Sequence, residues 1–83
     1  MRREENWAID EGRIRAFFVA QPDVAQTEDG FTFGGCQIRL IPVSGQLFGK
    51  WQQQRTILIM EGPEADISQI YQRFFLRFLS AGG

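Results

Sequence analysis

The chain has 83 residues, enough for one domain and too few for two. Hydrophobic residues make up 43% of it and eight are phenylalanine, which excludes disorder throughout. The net charge of −1, with Lys50 as the only lysine among nine basic residues, excludes the broad basic excess of most nucleic-acid binders.

Cys36 is the only cysteine, so no intrachain disulfide is possible and a reducing compartment is the simpler expectation. The first residues, Met1 to Asn6, are charged, are not followed by an apolar run as in a signal peptide, and are expected to fray. No apolar stretch approaches the length of a membrane span, so the expected setting is the cytoplasm, away from membrane.

Trp7 and Ile9 alternate with Ala8 and Asp10, which suggests a short strand before the turn-like Asp10-Glu11-Gly12. Residues 13–20 are rich in β-formers and stop at Pro22, so a strand is expected, although Ile14, Phe17 and Phe18 also fit helical spacing. Asp29-Gly30 is a turn signal. Phe31-Thr32-Phe33 alternates, and after Gly34-Gly35, expected to form a bulge or sharp bend, Cys36 to Ile41 resumes the alternation until Pro42. Leu47-Phe48 forms a further short strand, and residues 51–60 read as the last long one, with Trp51, Arg55, Ile57 and Ile59 on one face.

The strongest periodicity lies over residues 63–80. Ile67, Ile70, Tyr71, Phe74, Phe75, Phe78 and Leu79 recur at spacings of three and four, the stripe of an amphipathic helix. Pro63 suits its first turn, Glu64 and Asp66 its positive end, and Arg73 and Arg77 its negative end. The expected architecture is one α+β domain over residues 1–83. Antiparallel strands, in one sheet or two small ones, occupy residues 7–60, and one C-terminal helix packs across them.

Signals of catalysis are sparse. The chain has no histidine, which removes the commonest general base and the usual Ser-His and Cys-His pairs. Cys36 reads as a small core residue, and the acidic pairs Asp10-Glu11 and Glu28-Asp29 read as solvated turns without a metal-ligand pattern. No cofactor, metal or catalytic residue is expected, and the chain reads as non-enzymatic.

Three surfaces are candidates for binding. Leu76 falls opposite the helical stripe with Arg73 and Arg77 near it, and Trp51 and Arg55 share a strand face; arginine and tryptophan are favoured at protein interfaces. Phe31 and Phe33 beside Arg39 offer an alternative, stacking on single-stranded nucleic acid. The terminal Gly82-Gly83 resembles the activated ends of ubiquitin-like proteins and sulfur carriers, where the C-terminal carboxylate is adenylated. Those proteins carry it on an extended tail after a strand, whereas here it follows a helix and reads first as its terminator.

The plan running from residues 31–40 through Arg-Thr-Ile-Leu-Ile (55–59) to the closing segment at 73–83 resembles short proteins encoded in bacterial prophage regions, some near tail genes. The resemblance implies an accessory or assembly role in a phage tail-like particle; the partner expected from the candidate surfaces is another protein.

Overall fold

The structure is a computed structural model, and it describes residues 1–43, 47–48, 51–52 and 54–79. In chain order the elements are β1 (Arg2–Trp7), α1 (Glu11–Val19), β2 (Ala25–Gln26), β3 (Phe31–Phe33), β4 (Cys36–Val43), β5 (Leu47–Phe48), β6 (Trp51–Gln52), β7 (Arg55–Glu61) and α2 (Glu64–Phe78). Five strands form one antiparallel sheet in the order β1-β7-β4-β3-β2, and β5 and β6 pair separately. The fold is α+β, with the C-terminal helix packed on the sheet.

Two expectations are corrected at the N-terminal end. Residues 1–6 do not fray: Arg2 to Asn6 belong to β1, which pairs with β7 from Arg2↔Glu61 to Trp7↔Thr56. Met1 and Gly62 exchange backbone hydrogen bonds at 3.1 and 3.0 Å just beyond it. An edge strand tolerates charge because one of its sides meets water. Residues 13–20 lie mostly in α1, not in a strand, so there are two helices rather than one. Asp10 caps α1 by accepting a hydrogen bond from the Arg13 N–H at 3.2 Å, and Glu11 pairs with Arg15 one turn on. The helix buries Ile14 and Phe18 and packs Phe17 against the same core, whereas a strand would place Phe17 and Phe18 on opposite faces.

Two strand boundaries also differ. β4 continues through Pro42 to Val43, with Pro42 opposite Thr56. β3 pairs only as far as Ile38, so Pro42 lies where β4 has a single partner strand among the described residues, a place that tolerates a missing N–H. The run expected over residues 51–60 is divided into β6 and β7. Gly34-Gly35 is the two-residue turn joining β3 to β4, and Gly34 takes φ +57°, the positive angle that suits glycine at the first central position.

Both helices cover the same face of the sheet. The core beneath them joins Trp7, Ile9, Ile14, Phe18, Phe31, Phe33, Cys36, Ile38, Leu58 and Met60 with Ile67, Ile70, Phe74 and Phe78 of α2. Thr56, the only buried polar residue described there, donates its hydroxyl to the Ile9 carbonyl at 2.7 Å. On the opposite face Ile59 is nonetheless buried, between Glu4 and Arg39 in the adjacent strands.

The entry to α2 is tightly held. Gly62 has φ +145°, and a Cβ there would lie 2.4 Å from the Gly35 carbonyl oxygen, so the turn before the helix approaches the β3–β4 turn too closely for a side chain. Pro63 is the N-cap, and Asp66 accepts a hydrogen bond from the Gly35 N–H at 2.9 Å. Among the described residues no helix is long and apolar enough to cross a membrane.

Candidate interaction surface

The stripe of α2 is narrower than its sequence suggests. Ile67, Ile70, Phe74 and Phe78 are buried and Tyr71 is half-buried, but Phe75 is 37% exposed and Leu79 is 56% exposed. Leu76 is exposed as expected, at 65%. Phe75, Leu76 and Leu79 are helical neighbours, so they form one apolar strip along a flank of α2. That flank faces β1: the Phe75 ring lies 6.2 Å from the Trp7 ring, and Tyr71, one turn earlier, reaches Glu5.

Arg73 and Arg77 sit on the other flank, toward α1. Arg73 makes a two-pronged pair with Asp23 at 2.7 and 2.9 Å, and its guanidinium lies 5.1 Å from the Phe33 ring centre. The pair holds the Asp23 carboxyl below its ordinary pKa. Arg77 lies over Phe78. Arg73 is thus a clasp between α2 and the segment after α1, and the apolar companions of Leu76 are Phe75 and Leu79.

A second polar cluster closes the β1 side. The Glu5 carboxylate accepts hydrogen bonds from the Tyr71 hydroxyl at 2.6 Å, the Trp7 indole N–H at 3.1 Å and the Arg3 Nε at 3.1 Å. The Arg3 guanidinium also lies 3.7 Å from the Tyr71 ring centre. Burial and then the bond to Glu5 push the Tyr71 phenol above its ordinary pKa. The groups satisfy one another, and the cluster anchors α2 to the edge strand.

That edge is open. β1 ends the sheet order, so among the described residues it has a strand on one side only. Antiparallel pairs alternate between hydrogen-bonded and non-bonded, and Met1 with Gly62 is a bonded pair. Arg3, Glu5 and Trp7 therefore direct their backbone groups toward β7. Arg2, Glu4 and Asn6 direct theirs away from the sheet.

The other sequence candidates fall elsewhere. Phe31 and Phe33 are buried in the core, not free to stack on bases. Alternation along the strands puts Arg39 on the opposite sheet face, where it pairs with Glu61 at 3.1 Å beside an open concavity of about 440 Å³ that Glu28 and Asp29 also line. Three carboxylates there disfavour a phosphate backbone. Arg55 donates to the Asn6 side chain at 2.8 Å, whereas the Trp51 side chain lies outside the described residues. Gly82 and Gly83 lie outside them as well. Cys36 is buried, and burial followed by the nearby Asp66 charge raises its thiol pKa, which disfavours a nucleophilic thiolate. Among the described residues no group of acidic, cysteine or histidine side chains is arranged to hold a metal.

The sequence periodicity found α2 but not its exposed flank, because Phe75 and Leu79 are apolar residues at the rim of the stripe and look the same as buried ones. The open edge had no signal beyond the charges of residues 2–5. Comparison of the chain with protein-family models, with curated proteins and with solved structures gives no match.

Proposed function

We propose that this chain is a non-enzymatic protein-interaction or assembly module that docks through the α2 flank and the adjoining β1 edge. The observation that carries the reading is the strip of Phe75, Leu76 and Leu79, three neighbouring apolar side chains left at the surface of so small a domain. An isolated exposed leucine is ordinary, but a strip beside a strand edge with no neighbouring strand among the described residues offers both apolar burial and directional hydrogen bonds. The Arg73–Asp23 pair and the Glu5 cluster link α2 to the segment after α1 and to β1, the two sides between which the flank lies. The resemblance to prophage-region proteins suggests an assembly role in a phage tail-like particle.

The test is an affinity pull-down from the native host with the chain beside its Leu76→Glu variant. The expected outcome is a stoichiometric protein partner that the variant loses while keeping the wild-type circular dichroism. Equal recovery of every partner by the two proteins would refute docking through the α2 flank.

A further inference from the structure

The open β1 edge, with Phe75 beside it, carries charges in an order that a reversed second copy of the same chain would complement. We propose that two copies join edge to edge, β1 against β1 antiparallel, with Glu4 on the two-fold axis. This names the partner for the interaction surface described above and rests on that reading.

The constraints come from the backbone. An antiparallel edge-to-edge pair closes about a two-fold axis perpendicular to the sheet, which keeps the helices of both copies on the same side. Residues opposite each other must then lie on the same face. The outward-directed groups of Arg2, Glu4 and Asn6 must also meet their own kind in hydrogen-bonded pairs. Both demands are met by registers that oppose even-numbered to even-numbered residues.

Among those registers, the one centred on Glu4 uses the whole strand. It sets Arg2 opposite the second copy's Asn6 and Glu4 opposite itself, so all three outward-directed residues find partners; the Asn6 carbonyl, which the Arg55 guanidinium of its own copy reaches at 3.4 Å, has a second lone pair for the new bond. On the helix face it sets Arg3 opposite Glu5 twice over, opposite charges at cross-strand distance. It also sets Met1, 65% exposed, opposite Trp7 of the second copy, where Phe75 provides an adjoining apolar surface. Centring on Arg3 instead would face Arg3 with Arg3, and centring on Glu5 would face Glu5 with Glu5 on the crowded helix side.

Charges on an edge strand ordinarily deter another strand. Here both signs occur in the order Arg2-Arg3-Glu4-Glu5, so a reversed copy brings opposite charges together on the helix face. The one like-charged contact, Glu4 with Glu4, lies on the other face, and each of these carboxylates is already paired with its own Arg2 at 2.8 Å.

Sedimentation equilibrium of the purified full chain tests the proposal, with Glu4→Pro and Arg3→Glu beside it. The Glu4 N–H points away from β7, so proline there removes a donor needed only by the second copy. Arg3→Glu faces Glu5 with a like charge twice. The expected result is twice the chain mass for the wild type, monomer mass for Glu4→Pro, and a dimer weakened about tenfold or more by Arg3→Glu. Circular dichroism establishes that each variant is folded, and either folded variant suffices if the other does not fold. A wild type that stays monomeric at millimolar concentration overturns the proposal, as does a dimer unchanged in a folded variant. A monomer that still loses a host partner on Leu76→Glu overturns self-pairing while leaving the interaction surface in place.

Discussion

Glu5 is the acceptor on which the β1 side of the molecule depends, since Tyr71, Trp7 and Arg3 all donate to it. The Tyr71 phenol is raised above the ordinary value of 10.0, first by burial and then by this bond. Tyr71 is the only tyrosine, so ultraviolet absorbance follows its ionisation directly. Its midpoint is expected above the ordinary value, and Glu5→Gln should lower it by removing the negative charge. A wild-type midpoint at or below the ordinary value would show that the half-buried, Glu5-bonded setting of the phenol does not hold in solution, and a Glu5→Gln midpoint equal to the wild type would count against the bond itself. The sign for stability follows from the raised folded-state value. The contribution is complete below the unfolded pKa of about 10 and is lost as pH rises through the folded value.

At the scale of elements, Thr56 ties β7 to the connection between β1 and α1 through the Ile9 carbonyl. Thr56→Val keeps the shape and removes the donor, leaving that carbonyl unpaired in the core. The expected loss is about 1–3 kcal/mol in urea unfolding, with Thr56→Ser losing less because it keeps the hydroxyl. A neutral Thr56→Val would mean that water satisfies the carbonyl. The elements differ in how openly the sequence shows them. The helical stripe in α2 and the alternation in β3 and β4 are strong local patterns, and the structure keeps the two alternations and the Ile67, Ile70, Phe74 and Phe78 line of the stripe. α1 is ambiguous in the sequence because Phe17, Phe18 and Val19 favour strands by shape while Ile14, Phe17 and Phe18 fit helical spacing; the Asp10 cap and a core that takes both Phe17 and Phe18 from one side decide for the helix. β1 has no apolar alternation to show it, because its inward positions include Arg3 and Glu5, which pair with each other and take Tyr71 of α2 as a further, long-range partner. The interaction flank depends on the same kind of long-range information: exposure of Phe75 and Leu79 is decided by where the edge of the sheet falls.

For the whole molecule, Phe74 is the point at which the layers meet. Its ring lies within 5.0 Å of Trp7, 4.9 Å of Phe78 and 6.0 Å of both Phe17 and Phe18. Phe74→Ala should cost about 3–5 kcal/mol, a large part of the stability of a domain this small. Because both helices and the sheet share this ring, far-ultraviolet and near-ultraviolet circular dichroism should move together, at one lower urea concentration. Separate transitions for the two signals would mean that α1 and α2 rest on independent cores.

The pairing of β1 with β7 also orders events in time. Met1 and Gly62 are hydrogen-bonded partners 61 positions apart. A ribosome releases β1 long before β7 exists, and α2, which supplies Tyr71 to the charged side of β1, comes later still. β1 therefore stays unmatched while residues 8–54 are made, and it gains its partner only when β7 has emerged. Until β7 arrives, Arg2, Arg3, Glu4 and Glu5 give that strand a charged surface, of the kind that disfavours pairing with a wrong edge.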